Sequence, residues 1–349
     1  MKSIITIVFS LLISFSTIAQ TYITQVKPYG EKLWGYINQN GEMLIEPVYK
    51  KCYKFSENGL APIYEGKKFQ FINTKGEKLA IEIDGFRLIE GFVGIGGLQG
   101  YSDGMVAIQK NKSWGFLDAE GKVAIMLKYD KVSSFNSGFA IAKGGTDFFV
   151  LDKNGGETKI EGVEIVKVKA FSEGLASFSD NSKRFGFINT EAKIGIDANF
   201  VAVGFFVNGL AWAKTIDKKL GFINKDGEWV INPQFEAAKN FDPVSGLARV
   251  KTGGVWAYTD KNGVITKIEN TDTWSDFFDG LAKGKKDGKT GYYNSKGEWV
   301  IAPELEGGRD FKNGFAAAKK DGKWGFVDKS GNWVIKPIYA AVKDFELVE

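Results

Sequence analysis

The chain has 349 residues, 44% of them hydrophobic and 25% charged, and its 46 Lys and Arg against 42 Asp and Glu give a net charge of +4. That balance is ordinary for a soluble globular protein. The lysines are scattered in pairs at turns with acidic residues between them, which excludes the concentrated basic stripe that nucleic acid requires. Histidine is absent, which removes the commonest general base and metal ligand, every Ser-His-Asp or Cys-His arrangement and the usual zinc sites.

From the N-terminus, residues 1–19 read as a signal peptide. Lys2 supplies a positive start, Ile4 to Ile18 are predominantly apolar, and Thr17-Ile18-Ala19 places small residues where a signal peptidase reads, with cleavage expected before Gln20. The apolar stretch of roughly 15 residues is shorter than the ~20 a membrane span needs, and no second one follows, so no integral span is expected in the mature chain. The expected destination is the periplasm, the outer surface or the medium. The single cysteine, Cys52, allows no intramolecular disulfide; in YKKCYKF it reads as a small buried hydrophobe rather than a nucleophile.

From there on one phrase recurs: an aromatic residue, usually Gly, two or three hydrophobic residues, Asn or Asp, two variable residues and Gly. Its Asn/Asp positions are 38, 73, 118, 152, 189, 224, 260, 294 and 328, with spacings of 35, 45, 34, 37, 35, 36, 34 and 34. A near-constant period in this range marks a repeat architecture. Residues 20–349 are therefore expected to form one domain of about nine repeats.

The last complete unit, Phe311 to Phe345, divides into three runs. Phe315 to Lys319 is small and apolar, and Asp321-Gly322 signals a hairpin. Trp324 to Asp328 follows, then a turn from Asp328 to Gly331, and Trp333 to Lys336 ends at Pro337, which cannot donate to a ladder. Each unit thus reads as a three-stranded antiparallel meander of about 34 residues. The turn glycine is replaced once, by Ala192, where an altered turn is expected because positive φ strains alanine. A second element precedes most units, as in FSENGLA at Phe55, FSEGLA at Phe171 and FKNGFA at Phe311; its aromatic reads as a plug shared between neighbouring repeats.

The KWGFVDKSGNWVIKP form, with FxxGLA upstream and Ile-x-Pro downstream at Ile45-Glu46-Pro47, Ile231-Asn232-Pro233, Ile301-Ala302-Pro303 and Ile335-Lys336-Pro337, resembles the WG-repeat (KWG-repeat) family of bacterial proteins over residues 26–349. The resemblance implies a β-rich, non-catalytic repeat module of exported and multidomain proteins. It supplies no functional residues to carry over.

The fold class expected is all-β: a tandem array of antiparallel meanders. Nine three-stranded units fit poorly with a propeller of 4 to 8 four-stranded blades, so an open solenoid-like superhelix is favoured over the alternative, a closed propeller-like ring.

Apparent chemical motifs dissolve into the repeat frame. GKKDGKT at 284–290 has three residues between its glycines where a phosphate loop needs four, and it aligns with the hairpin of the last unit. Asp152-Lys-Asn-Gly155 and Asn224-Lys-Asp-Gly227 have the start of a calcium loop without its remaining acidic ligands, so they read as turns. No metal or cofactor is expected. The one break in period is a glycine-rich insertion at 84–104, read as an extended loop and, since insertions often map to a binding face, as a candidate functional patch through Phe92 and Gln99. Trp229, Trp299 and Trp333 share one repeat position and read as packing, whereas Trp212 and Trp274 fall outside the tryptophan-bearing positions; they read first as buried structural tryptophans and, beside polar groups, second as sugar-stacking candidates.

The function expected is an exported, non-enzymatic binding or scaffold module at the cell envelope, with a protein or an envelope glycan as partner. The alternatives are a glycan-binding module using Trp212 and Trp274 and, more distantly, a glycosidase using Asp276 and Asp279 as its two carboxylates.

Overall fold

The computed structural model describes residues 20–92 and 95–349, with the side chains of residues 90–97 outside that description. The expected signal peptide, residues 1–19, lies outside the described residues. Among the described residues every regular element is a β-strand. The strands form consecutive antiparallel sheets, numbered 1 to 9 in chain order below.

Sheet 4 shows the unit plainly, with strands Lys131–Val132, Phe139–Gly144, Asp147–Asp152 and Glu157–Lys159 in that spatial order. The expected three-strand meander thus gains a first strand. It escapes a sequence reading because only Lys131 and Val132 pair, opposite Lys143 and Ala142, and two residues show no alternation. Sheet 2 is the most reduced: Ala61–Glu65 pairs with Lys68–Ile72, flanked by single bridges at Cys52 and Lys78. The insertion is a second departure from expectation. It is a hairpin of Glu90–Phe92 and Ile95–Leu98 set into the first strand of sheet 3 and closed at its base by the Gln99 N–H on the Ile89 carbonyl.

The hairpin turns form as read. In every unit the Asn or Asp side chain accepts the backbone N–H groups two and four residues on, as Asn38 does from Asn40 and Glu42, and the terminal glycine is left-handed, Gly41 at φ +83°. The turn ending in Ala192 keeps this geometry rather than altering it. Ala192 sits at φ +62°, its N–H donates to the Asn189 carbonyl, and Asn189 Oδ1 still accepts from Glu191 and Lys193. The surrounding contacts over-determine the turn, and the alanine carries the strain. Ala192→Gly is expected to stabilise the protein by roughly 0.5–1 kcal/mol, the relieved φ strain outweighing the loss of one buried methyl; a urea midpoint at or below that of the parent would contradict this.

Neighbouring sheets share cores through the aromatic plug. Phe55 lies 4.8 Å from Tyr36, Phe206 4.8 Å from Phe187, Phe241 4.7 Å from Phe222 and Phe311 4.9 Å from Tyr292, each ring seated on the third strand of the preceding sheet. Where the receiving ring is a tyrosine, its hydroxyl donates to a backbone carbonyl of the next first strand, Tyr36 to Tyr53 and Tyr292 to Arg309. Carboxylates beside the plug make a second link: Glu173 accepts the N–H groups of Asn208 and Gly209, Asp242 those of Asp279 and Gly280, and Asp279 that of Gly314.

The two ends of the described residues meet. Thr21–Pro28 is the second strand of sheet 1, and its first-strand neighbour is the end of the chain: Glu346, Leu347 and Val348 pair with Ile23, Tyr22 and Thr21, while Val342 and Ala341 pair with Val26 and Lys27. Phe345 then serves sheet 1 as plug, 4.5 Å from Phe326 of sheet 9, in a core with Val26, Ile37 and Tyr339. Each sheet remains open at its outer edge, but the array of sheets has no free end. Of the two arrangements weighed from the sequence, the strand pairing describes the closed propeller-like ring rather than the open superhelix.

Candidate functional site

In each four-stranded sheet the first strand pairs on one side only, and residues just before several of the plugs converge. Side chains from sheets 9, 1, 2, 3, 4 and 5 line one opening of about 900 Å³, among them Arg309, Gln25, Lys54, Gln99 and Ser134. That a residue of sheet 9 and one of sheet 4 face the same space follows from the ring.

The lining has two characters. On one side lie Arg309, Asp344 and Glu346, members of a series in which cations and carboxylates pair across successive sheets: Arg249 Nε with Asp276 at 2.7 Å, Lys283 with Asp310 at 3.1 Å, Arg309 with Asp344 at 3.2 Å, and Lys312 with Glu346 at 2.7 Å. On the other side, in sheets 3 and 4, the equivalent positions are small or neutral: Gln99, Gly100, Ser133 and Ser134, with the Ser134 hydroxyl donating to Gln99 Oε1. Cys52 also borders the opening, and burial pushes its thiol up to about 11. The side chain is half-buried, where the sequence reading expected a buried one.

A smaller recess of about 350 Å³ lies between sheets 6, 7 and 8, lined by Trp212, Lys239, Asn240, Asp276 and the exposed Phe278. Trp212 occupies the second-strand position held by Arg249 and Lys283 in the next two sheets. Its indole lies over Gly204, where an added Cβ would sit 2.4 Å from Nε1.

Of the residues singled out from sequence, Gln99 lines the opening and Trp212 the recess. Trp274 is placed elsewhere: half-buried against the core between sheets 7 and 8, with Nε1 donating to the Ile268 carbonyl at 2.8 Å. Phe92 ends the first strand of the inserted hairpin, and its side chain is outside the described residues. Asp276 is paired with Arg249, and Asp279 holds the Gly314 N–H at 2.6 Å and lies 3.3 Å from Lys329. Gly284 and Gly288 belong to the hairpin joining Leu281–Lys286 to Lys289–Tyr293. Asp152 and Asn224 accept N–H groups of their own turns. Sequence reasoning passed over Gln25, Arg309 and Lys343, because their role depends on the first strands, which carry no periodic signal.

The sequence profile described as "WG containing repeat" matches residues 34–69, 114–143, 185–219, 221–256, 291–324 and 324–346. Comparison with curated proteins finds no match. Among solved structures, a crystal structure of a eukaryotic initiation factor aligns at TM-score 0.58 and 11% identity, covering 94% of this chain and 96% of that one. BamB from Moraxella catarrhalis aligns at TM-score 0.44 and 12% identity over 80% and 94% of the two chains. At such identities the first likeness speaks for the fold alone. Among the described residues no helix is long and apolar enough to cross a membrane.

Proposed function

The chain belongs to the WG-repeat family, and we propose that it is an exported, non-catalytic binding and scaffold module at the bacterial cell envelope, holding its partner in the central opening. The observation that carries this reading is the convergence of polar side chains from five sheets on one space of about 900 Å³. The carboxylates weighed for catalysis are instead engaged in links between sheets. The sequence of residues 1–19 supports export.

A second reading, a glycan-binding module, is favoured by one observation: Trp212, Asn240 and Asp276 line one recess, an aromatic face beside amide and carboxylate groups. Co-sedimentation of residues 20–349 with the bacterium's own cell-wall glycan and outer-membrane fractions tests both readings. The first expects saturable pelleting that Ser134→Arg, which crowds the opening, abolishes and Trp212→Ala leaves intact. The second expects pelleting with glycan alone, lost in Trp212→Ala. Pelleting that neither variant changes would overturn both placements.

A further inference from the structure

Among the described residues, one buried polar atom in the opening has no protein partner, and one exposed cation close by has no carboxylate. Gln25 is 4% exposed, lines the opening, and its Oε1 accepts no hydrogen bond. Lys343 lines the same opening just past the end of the strand Trp333–Val342, its backbone N–H donating to the Gln25 carbonyl at 3.0 Å. Among the described residues no carboxylate pairs with its ammonium, which lies 5.8 Å from the Trp34 ring. The register explains why Gln25 is stranded. At its position sheets 7 and 8 carry Arg249 and Lys283, which reach Asp276 and Asp310, each just before the next plug aromatic. The corresponding residue facing Gln25 is Lys54, a donor whose nearest carboxylate is Glu346 at 3.7 Å. A buried acceptor with no donor is costly to keep, so a site that keeps one is shaped for a donor from outside.

The charge around these two groups favours an anion. Lys54, Arg309 and Lys343 stand against Asp344 and Glu346, three cations to two carboxylates, an excess of one positive charge. The missing ligand therefore carries a negative charge next to an N–H or O–H donor. The end of a polypeptide has this arrangement, a carboxylate one carbon from an amide N–H, and the unpaired edges of the first strands offer an extended chain further backbone partners.

We propose that the central opening captures the C-terminal end of an extended peptide, its carboxylate on Lys343 and its last amide N–H on Gln25 Oε1. The proposal rests on the reading of the protein as a binding module. The mature chain is titrated calorimetrically with N-acetyl-tetraalanine, with its C-terminal amide and with glucuronic acid, while tryptophan emission reports on Trp34 beside Lys343. The free acid is expected to bind saturably and the amide about tenfold more weakly, the equivalent of one charge-assisted contact. Lys343→Gln should remove that difference without weakening the amide further. Gln25→Leu, checked for folding by circular dichroism, should weaken acid and amide alike; if it fails to fold, the Lys343→Gln comparison decides. Equal binding of acid and amide, no saturation at millimolar peptide, or glucuronic acid binding as tightly as the peptide would each overturn the proposal. If the peptide titration fails while co-sedimentation with envelope fractions persists, this inference falls and the binding-module reading stands; loss of both removes both.

Discussion

Deletion of residues 343–349 is expected to have the largest effect of any short truncation, lowering unfolding free energy by at least about 5 kcal/mol and causing the protein to self-associate. The segment carries Phe345, 1% exposed, and Val348, 8% exposed, the two side chains that tie sheet 1 to sheet 9 and sheet 2. Burial of a Phe and a Val is worth about 1.5–3 kcal/mol each, and truncating a core Phe alone costs about 3–5 kcal/mol once the cavity is included. The loss also uncovers the Thr21–Ile23 part of the edge of Thr21–Pro28, and a bare strand edge pairs with whatever strand it meets. Phe345→Ala should reproduce about 3–5 kcal/mol of the loss while leaving the edge covered, so it destabilises without association. Urea midpoints and sedimentation velocity check this. Parent-like values in the deletion would mean that the chain ends do not hold the fold together.

The second large effect is expected at the glycine of the Trp-Gly pair. In six sheets a Cβ at this position would meet a backbone carbonyl of the outer strand at 2.3–2.6 Å: Gly35 against Ile45, Gly115 against Ile125, Gly186 against Ile196, Gly221 against Ile231, Gly291 against Ile301 and Gly325 against Ile335. At each, the ladder skips across a bulge, as between Trp324↔Tyr339 and Phe326↔Ile335. The proline of Ile-x-Pro sits in this bulge in four of the six, where no ladder donor is needed. The glycine and the long outer strand occur together. The six outer strands have seven residues or more, whereas the sheets with Gln70, Phe149 or Ala257 at that position have a single bridge at Lys78, the three-residue Glu157–Lys159 and the two-residue Ile265–Thr266. Gly325→Ala should therefore cost about 3 kcal/mol, since backbone and not a flexible side chain must yield. Hydrogen exchange should show the loss concentrated in Trp333–Tyr339. A cost within about 0.5 kcal/mol, the range of an ordinary surface substitution, would contradict the close-approach account.

These two predictions rest on features of differing legibility. The nine turns could be read residue by residue, because Asn or Asp followed by Gly is chemistry internal to four residues. The plug aromatics were legible for the same reason they work: one large ring per period has no other place to go. The first strands were not, since Lys131–Val132 or Gly307–Gly308 pair over two residues each. Without them the opening, and with it Gln25, Arg309 and Lys343, had no location. Ring closure left a trace that the repeat count obscured. The first phrase, at Trp34, has no plug upstream, while Phe345 is a plug with no unit after it; one missing and one surplus part at opposite ends fit each other. Trp212 shows the reverse case: its aromatic chemistry was visible, but only Gly204 beneath it explains how the indole is seated, and Trp274, alike in sequence, spends its N–H on Ile268.

The central claim is that the chain closes on itself, and a cysteine pair tests it directly. Tyr22 and Leu347 are cross-strand partners, within the ~5 Å between Cα atoms that a disulfide spans. In a Cys52→Ser background, Tyr22→Cys with Leu347→Cys is predicted to oxidise in dilute solution to a species of single-chain mass whose N- and C-terminal proteolytic fragments stay joined until reduced. Thiols that remain free, or a bond that forms only between chains, would contradict the closed ring and return the fold to an open array with two exposed ends.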